Sequence, residues 1–355
     1  MWRPGSMSTD ASTAAFAGWP PPALTSAGPF AEPLVTLSWG VFAMAGAVLL
    51  IVIAALVMAL FGREDLKAKI GNQRLIWYAG LAFPVVVLSA LLIWGLSLTS
   101  ALTGEPEPGE MRVRVTGEMW WWRVAYLNPE GGEAGAVQSA NEVRIPVGEP
   151  VTFELESADV IHSFWVPQLG PKLDMIPGRT NILRLQADEA GTYGGQCAEY
   201  CGGPHALMGL VVVAMPRDEF DTWMAEQARP AAAPTDALAA QGLEVFQDNG
   251  CGACHVVRGA PGASGLAGPD LTHVGSRRTI GAGILPNNRG TLAGWIADSQ
   301  DIKPGNRMPA YTTLSGDELQ AVAAYLDGLE RSPSPGSTTP SMTVSRRRAS
   351  GRRAS

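Results

Sequence analysis

The sequence predicts a multidomain membrane protein with a two-helix transmembrane hairpin, then an all-β domain, then an all-α domain. Three observations carry this. Two long apolar runs near the N-terminus hold no charged residue, and short alternating segments separated by Gly and Pro follow them. A Cys-x-x-Cys-His run then sits between helical patterns. At 355 residues the chain has room for two or three domains. Its formal net charge of −7 argues against a nucleic-acid partner. All four cysteines lie in two short clusters, which leaves none for a structural disulfide.

Residues 1–33 are rich in Ala, Pro, Ser and Gly and are expected to be poorly ordered. They lack the basic start and short apolar core of a cleaved signal peptide. The hairpin is assigned to 34–104. Leu34 to Phe61 and Leu75 to Gly104 are uncharged, and each exceeds the roughly 20 residues a helix needs to cross a bilayer. Pro84 is expected to kink the second helix. The connection carries Arg63, Lys67, Lys69 and Arg74, which places it in the cytoplasm and both outer ends on the opposite side.

The β domain is assigned to 105–216, after a helix-breaking Glu105–Gly109 stretch. Alternation predicts strands at Met111–Thr116, Glu142–Val147, Val151–Glu156, Asn181–Gln186 and Leu210–Met215. Between the last two lies a ligand run in which Cys197 and Cys201 are followed by His205 and Met208. His162 stands upstream in Asp159–Pro167. Soft sulfur with imidazole suits copper, and two thiolates held this close can bridge a pair of ions. A structural zinc site is the alternative, although zinc would want another N or S ligand and leaves Met208 without a role.

Those stretches, with Lys172–Arg179 between them, resemble the dinuclear copper centre (CuA) of cytochrome c oxidase subunit II. The resemblance implies a cupredoxin-like fold in which Cys197 and Cys201 bridge both coppers. It gives His162 and Met208 to one copper, and His205 with the main-chain carbonyl of Glu199 to the other. It also implies that the Glu199 carboxylate holds magnesium at the contact with subunit I, and that Trp120 in Met119–Trp122 is the point of electron entry. Here Met119 and Trp121 replace the Gln and Tyr usual beside that Trp. Near the second helix Arg74 stands where many relatives carry a proton-entry Glu.

A short helix with Phe220, Trp223 and Met224 on one face, then the Pro-containing linker Arg229–Thr235, fills 217–235. The third domain is assigned to 236–330. Cys251-Gly-Ala-Cys254-His255 has the spacing for covalent haem c, with two thioethers and an iron-ligating imidazole. The preceding helix, about Ala239–Asn249, fits a class I cytochrome c. Met308 is the only Met of this domain and is taken as the sixth ligand, with His273 left at the surface or in a hydrogen bond. Residues 331–355 are Ser/Pro-rich with a basic end and are expected to be disordered.

The domain order resembles subunit II of caa3-type oxidases in a bacterial inner membrane, with the copper and cytochrome domains on the periplasmic side. That resemblance implies subunit I and subunit III as partners in the bilayer, and a cytochrome c or the bc1 complex as donor. An electron-entry subunit of a nitric oxide reductase and a free-standing membrane-anchored electron carrier are the other readings.

Overall fold

The computed structural model describes residues 20–102, 107–128, 132 and 135–329. Most of the expected N-terminal leader, part of the Glu105–Gly109 breaker and the basic tail 331–355 lie outside the described residues. Two helices, Glu32–Phe61 and Gln73–Thr99, are long and apolar enough to cross a membrane, with mean hydropathies of 2.9 and 2.3. Neither buries its apolar faces inside the protein, unlike a soluble core helix. The expected distortion in the second helix is a π-helical turn at Tyr78–Ala82. It lies just before Pro84, whose missing N–H interrupts the regular ladder.

Residues 20–31 depart from the expectation of poor order. Ala27 donates its N–H to Gln168 O at 2.8 Å and accepts from Asp188 N at 2.9 Å. Paired in this way, the segment runs along the edge of the β domain, because backbone hydrogen bonds replace the water it would otherwise keep.

The β domain is a sandwich of two five-stranded sheets. Its strands are β1 (Met111–Glu118), β2 (Trp121–Tyr126), β3 (Val137–Ala140), β4 (Glu142–Pro146), β5 (Val151–Ser157), β6 (His162–Trp165), β7 (Leu173–Met175), β8 (Asn181–Leu185), β9 (Gly191–Cys197) and β10 (Gly209–Met215). One sheet runs β3-β2-β1-β5-β8 and the other β4-β10-β9-β6-β7. Val113, Val115, Val124 and Phe153 of the first sheet point inward to meet Phe164 and Val212 of the second. The five strands expected from alternation are present within a residue or two. Of the remaining five, β3, β6 and β7 are short, β9 carries three glycines, and β2 is apolar at all positions but Arg123, so none shows clear alternation.

Helix Arg217–Gln227 follows, with Phe220 and Trp223 buried against the sandwich. Helices Ala237–Asp248, Arg289–Ala297 and Gly316–Asp327 build the last domain. The final one starts at a reciprocal Ser315/Glu318 capping box, in which each side chain satisfies an otherwise unpaired backbone N–H. The linker does not hang free. Ala231 N donates to Arg258 O at 2.8 Å, and the Arg258 guanidinium donates to the carbonyls of Gln227 and Ala228.

Candidate metal centre and haem pocket

In the second sheet β9 lies between β10 and β6, with Phe164 opposite Cys197 and Gly209 opposite Gln196. This order brings the start of β6, the end of β9 and the approach to β10 to one end of the sandwich. His162 opens β6, Cys197 closes β9, and Met208 immediately precedes β10. The loop between β9 and β10 carries Cys201 and the short turn His205–Leu207.

Cys197 Sγ lies 3.7 Å from Cys201 Sγ, 3.9 Å from His162 Nδ1 and 3.2 Å from Glu199 O. Cys201 Sγ lies 3.5 Å from His205 Nδ1 and 3.8 Å from Met208 Sδ. All the residues expected from sequence to hold copper are therefore gathered, with the two sulfurs at the middle. The ligand atoms of His162, Cys197 and Cys201 lie within 4.8 Å of one another, and all three residues are buried. Burial raises both thiols, but contact with His162 draws Cys197 down, while its charge pushes Cys201 further up. Two adjacent thiolates therefore repel unless cations lie between them, and bound metal ions remove that penalty by holding both deprotonated. The donor set fits a bridged copper pair and gives every ligand a use, which a single zinc ion does not.

His162 is held from behind. Its Nε2 meets Asp159 Oδ1 at 2.9 Å, and Asp159 also accepts the N–H groups of Met119 and Val160. Burial works against the carboxylate, yet these donors and the imidazole lower its pKa. The carboxylate fixes the ring so that Nδ1 faces the sulfurs. A Cβ at Gly117 would come within 2.7 Å of His162 Cδ2, so glycine lets this ring pack against β1. The Glu199 carboxylate is instead partly exposed, 3.9 Å from Lys172 Nζ.

In the last domain Cys251, Cys254, His255 and Met308 line a single cavity. His255 Nδ1 meets Pro269 O at 2.8 Å, which leaves Nε2 as the free ring atom. Burial lowers this imidazole's pKa and keeps it neutral, the state needed for ligation. A Cβ at Gly268 would lie 2.5 Å from His255 Cε1, so glycine is needed beside the ring. Met308 is fixed by Asn306, whose Oδ1 accepts its N–H at 2.8 Å, and by Ser299 and Gln300, which donate to its carbonyl. Two cysteines and an imidazole, with a thioether lining the same cavity, fit a haem c. His273 is buried, not at the surface, and bonds Arg229 O at 3.0 Å.

The same cavity is also lined by Met119, Trp120 and Trp121 of the β domain. The three tryptophans thus divide their roles. Trp122 is fully buried core, Trp121 lies under the Arg123 guanidinium, and Trp120 reaches between the two sites. Sequence reading assigned no role to Asp159, Gly117, Gly268 or Lys303. Asp159, three residues before His162, had a usable spacing signal, whereas the others act through contacts distant in sequence.

Fold and ligand chemistry together define an electron-transfer protein that pairs a sulfur-rich metal centre with a c-type haem pocket. Residues 124–215 match the family described as cytochrome c oxidase subunit II, periplasmic domain, and residues 239–330 match cytochrome c. The cytochrome c oxidase subunit 2 of Alkalihalophilus pseudofirmus is 41% identical over 274 residues, which cover 76% of this chain and 77% of that one. The subunit 2 of Bacillus subtilis is 31% identical over 286 residues, covering 76% and 78%. The solved periplasmic domain of subunit II of cytochrome oxidase from Bradyrhizobium japonicum is 30% identical, with a TM-score of 0.31, over 34% of this chain and 95% of that one. The chain belongs to the cytochrome c oxidase subunit II family and carries a C-terminal cytochrome c domain. Its subunit II domain implies CuA copper and its cytochrome c domain implies haem.

Proposed function

We propose that the chain is the electron-entry subunit of a caa3-type cytochrome c oxidase, passing electrons from an external donor through covalent haem c and dinuclear CuA to the oxygen-reducing, proton-pumping subunit I. The observation that carries this reading is the position of Trp120, whose ring lines the haem pocket while its Nε1 bonds Cys201 O at 2.8 Å. Cys197, Cys201, His162, His205, Met208 and the carbonyl of Glu199 would hold the copper pair. Cys251 and Cys254 would bind haem covalently, and His255 and Met308 would supply its iron ligands. When bound, each group supplies a reversible one-electron couple.

The protein's own contribution is positioning and exclusion of water. Asp159 orients His162, and Pro269 orients His255. Both bridging thiols are nearly closed to solvent. Rigid, dry ligands should move little when charge changes, which favours rapid transfer. Outside this shell, Ile161 and Tyr200 are exposed apolar groups flanking the copper ligands. That surface suits a contact with subunit I, where the Glu199 carboxylate would take magnesium. The basic connection between the two spanning helices supports a cytoplasmic hairpin loop, with both soluble domains periplasmic in a bacterial inner membrane. Subunit III and a cytochrome c or bc1 donor complete the partners.

Purification of the native complex, followed by metal analysis and gas-consumption assays, tests the reading. Copper, covalent haem and oxygen uptake are expected. Nitric oxide uptake without oxygen uptake would replace the oxidase with a reductase.

A further inference from the structure

Lys303 belongs to the cytochrome domain but is almost fully buried against the copper domain. Its ammonium donates to Trp120 O at 2.7 Å, Leu207 O at 2.7 Å and Gly281 O at 3.1 Å. Three carbonyls match the three N–H groups of an ammonium. Two belong to the copper domain: Trp120 lines the haem pocket, and Leu207 lies between the expected copper ligands His205 and Met208. On its own side, Lys303 is wired to Met308. Asn306 Nδ2 donates to Lys303 O at 2.9 Å, and Asn306 Oδ1 accepts the Met308 N–H.

Other contacts cross the same boundary. Arg307 meets Asp159, the residue behind His162, at 3.1 Å. Gly209 N donates to Ala282 O at 2.9 Å, and Arg278 N donates to buried Glu142 at 2.8 Å. Lys303 stands apart because burial pulls its pKa down to about 7, so a charged side chain there needs all its donors saturated, and saturation requires carbonyls from both domains. Separation or rotation of the domains would leave the charge short of acceptors. Such a group selects one docked arrangement over others.

We propose that Lys303 is the positioning residue that locks the cytochrome domain over Trp120, reserving this entrance to the copper centre for the tethered haem and closing it to a separate donor. This rests on the electron-entry reading above. Lys303 lines the edge of the haem pocket, but its three N–H donors are spent on carbonyls, so it acts through the main chain of Trp120 and of the copper loop.

The test uses the full chain in its membrane complex, comparing wild type with Lys303→Met. Hydrogen exchange at the Gly209 and Arg278 amides, which bond across the boundary, reports docking without reference to turnover. Loss of three charge-assisted bonds should speed exchange at both amides by about tenfold or more, while Val212 and Val322 inside the two domains stay protected. Haem-to-copper electron transfer should slow, and reduction of copper by added soluble cytochrome c should quicken. Unchanged protection and rates, with copper and haem spectra intact, would overturn the proposal and leave the electron-entry reading standing. Absence of copper or haem from the wild type would instead overturn that reading. Lys303→Gln keeps an amide donor in similar space. It should give the same ordering with a smaller effect, and decides the matter should Lys303→Met fail to accumulate.

Discussion

The indole N–H of Trp120 bonds the carbonyl of Cys201 at 2.8 Å. One side chain therefore ties the wall of the haem pocket to the backbone of an expected bridging thiol. Replacing Trp120 with Phe keeps an aromatic ring but deletes this bond, at a cost of about 1 kcal/mol. Copper and haem spectra should persist while transfer between them slows. Unchanged transfer in Trp120→Phe would show that the route bypasses the indole nitrogen.

The two thiols are expected to be unequal in protonation but equally necessary. Cys197→Ser or Cys201→Ser should each abolish a coupled two-copper spectrum and spare the haem, because the clusters lie in separate cores. Zinc without copper in the wild type, by metal analysis, would return the site to a structural role.

Met308 is held by three side chains around its backbone, so removing its thioether should not unfold the loop. Met308→Ala should leave haem attached through Cys251 and Cys254 but lower its reduction potential, read by redox titration. An unaltered potential would point to another axial ligand, although His273 is already committed to Arg229 O.

Two glycines offer a test of ligand packing. An added Cβ at Gly117 meets the His162 ring at 2.7 Å, and one at Gly268 meets the His255 ring at 2.5 Å. Overpacking of this kind costs typically about 1–3 kcal/mol. Gly117→Ala should lower copper content with normal haem, and Gly268→Ala should disturb the haem spectrum with normal copper. The crossed result would contradict the placement of these rings.

Glu110 gives a pH dependence. Burial alone would raise its carboxyl, but Arg184 and Thr152 outweigh this and hold it below the ordinary 4.5. A depressed carboxyl contributes stability that is present above its unfolded value and is lost as pH falls through the lowered folded value. Glu110→Gln should therefore blunt the acid-induced fall in melting temperature of the β domain below about pH 5. Equal acid sensitivity in both proteins would count against it.

The two long apolar helices, the strong strands and both ligand clusters were legible in the sequence because each rests on local spacing. Thus Cys251, Cys254 and His255 are neighbours in sequence as well as in space, and the Ser315/Glu318 cap spans a single turn. The contacts behind the ligands were not legible. Lys303 is far in sequence from Trp120 and Leu207, and nothing in its neighbourhood marks an ammonium aimed at them. Strand Gly191–Cys197 was missed because Gly191, Gly194 and Gly195 erase the alternation, although Cys197 depends on that strand for its place. Residues 20–31 looked like part of a loose leader, since composition cannot reveal that Ala27 pairs with Gln168 and Asp188.

The anchored linker changes the molecularity of the reaction. Arg258 grips the carbonyls of Gln227 and Ala228, and the amide of Ala231 is pinned to Arg258 O, so the cytochrome domain has little slack in which to swing. A diffusing donor would deliver electrons in a second-order encounter that weakens on dilution. A leashed one meets its acceptor at an effective concentration that dilution leaves unchanged. Haem-to-copper transfer in the intact complex should therefore be first order across a wide range of protein concentration. Stopping the chain after Ala228 should convert it to a second-order reaction with whatever soluble cytochrome is supplied.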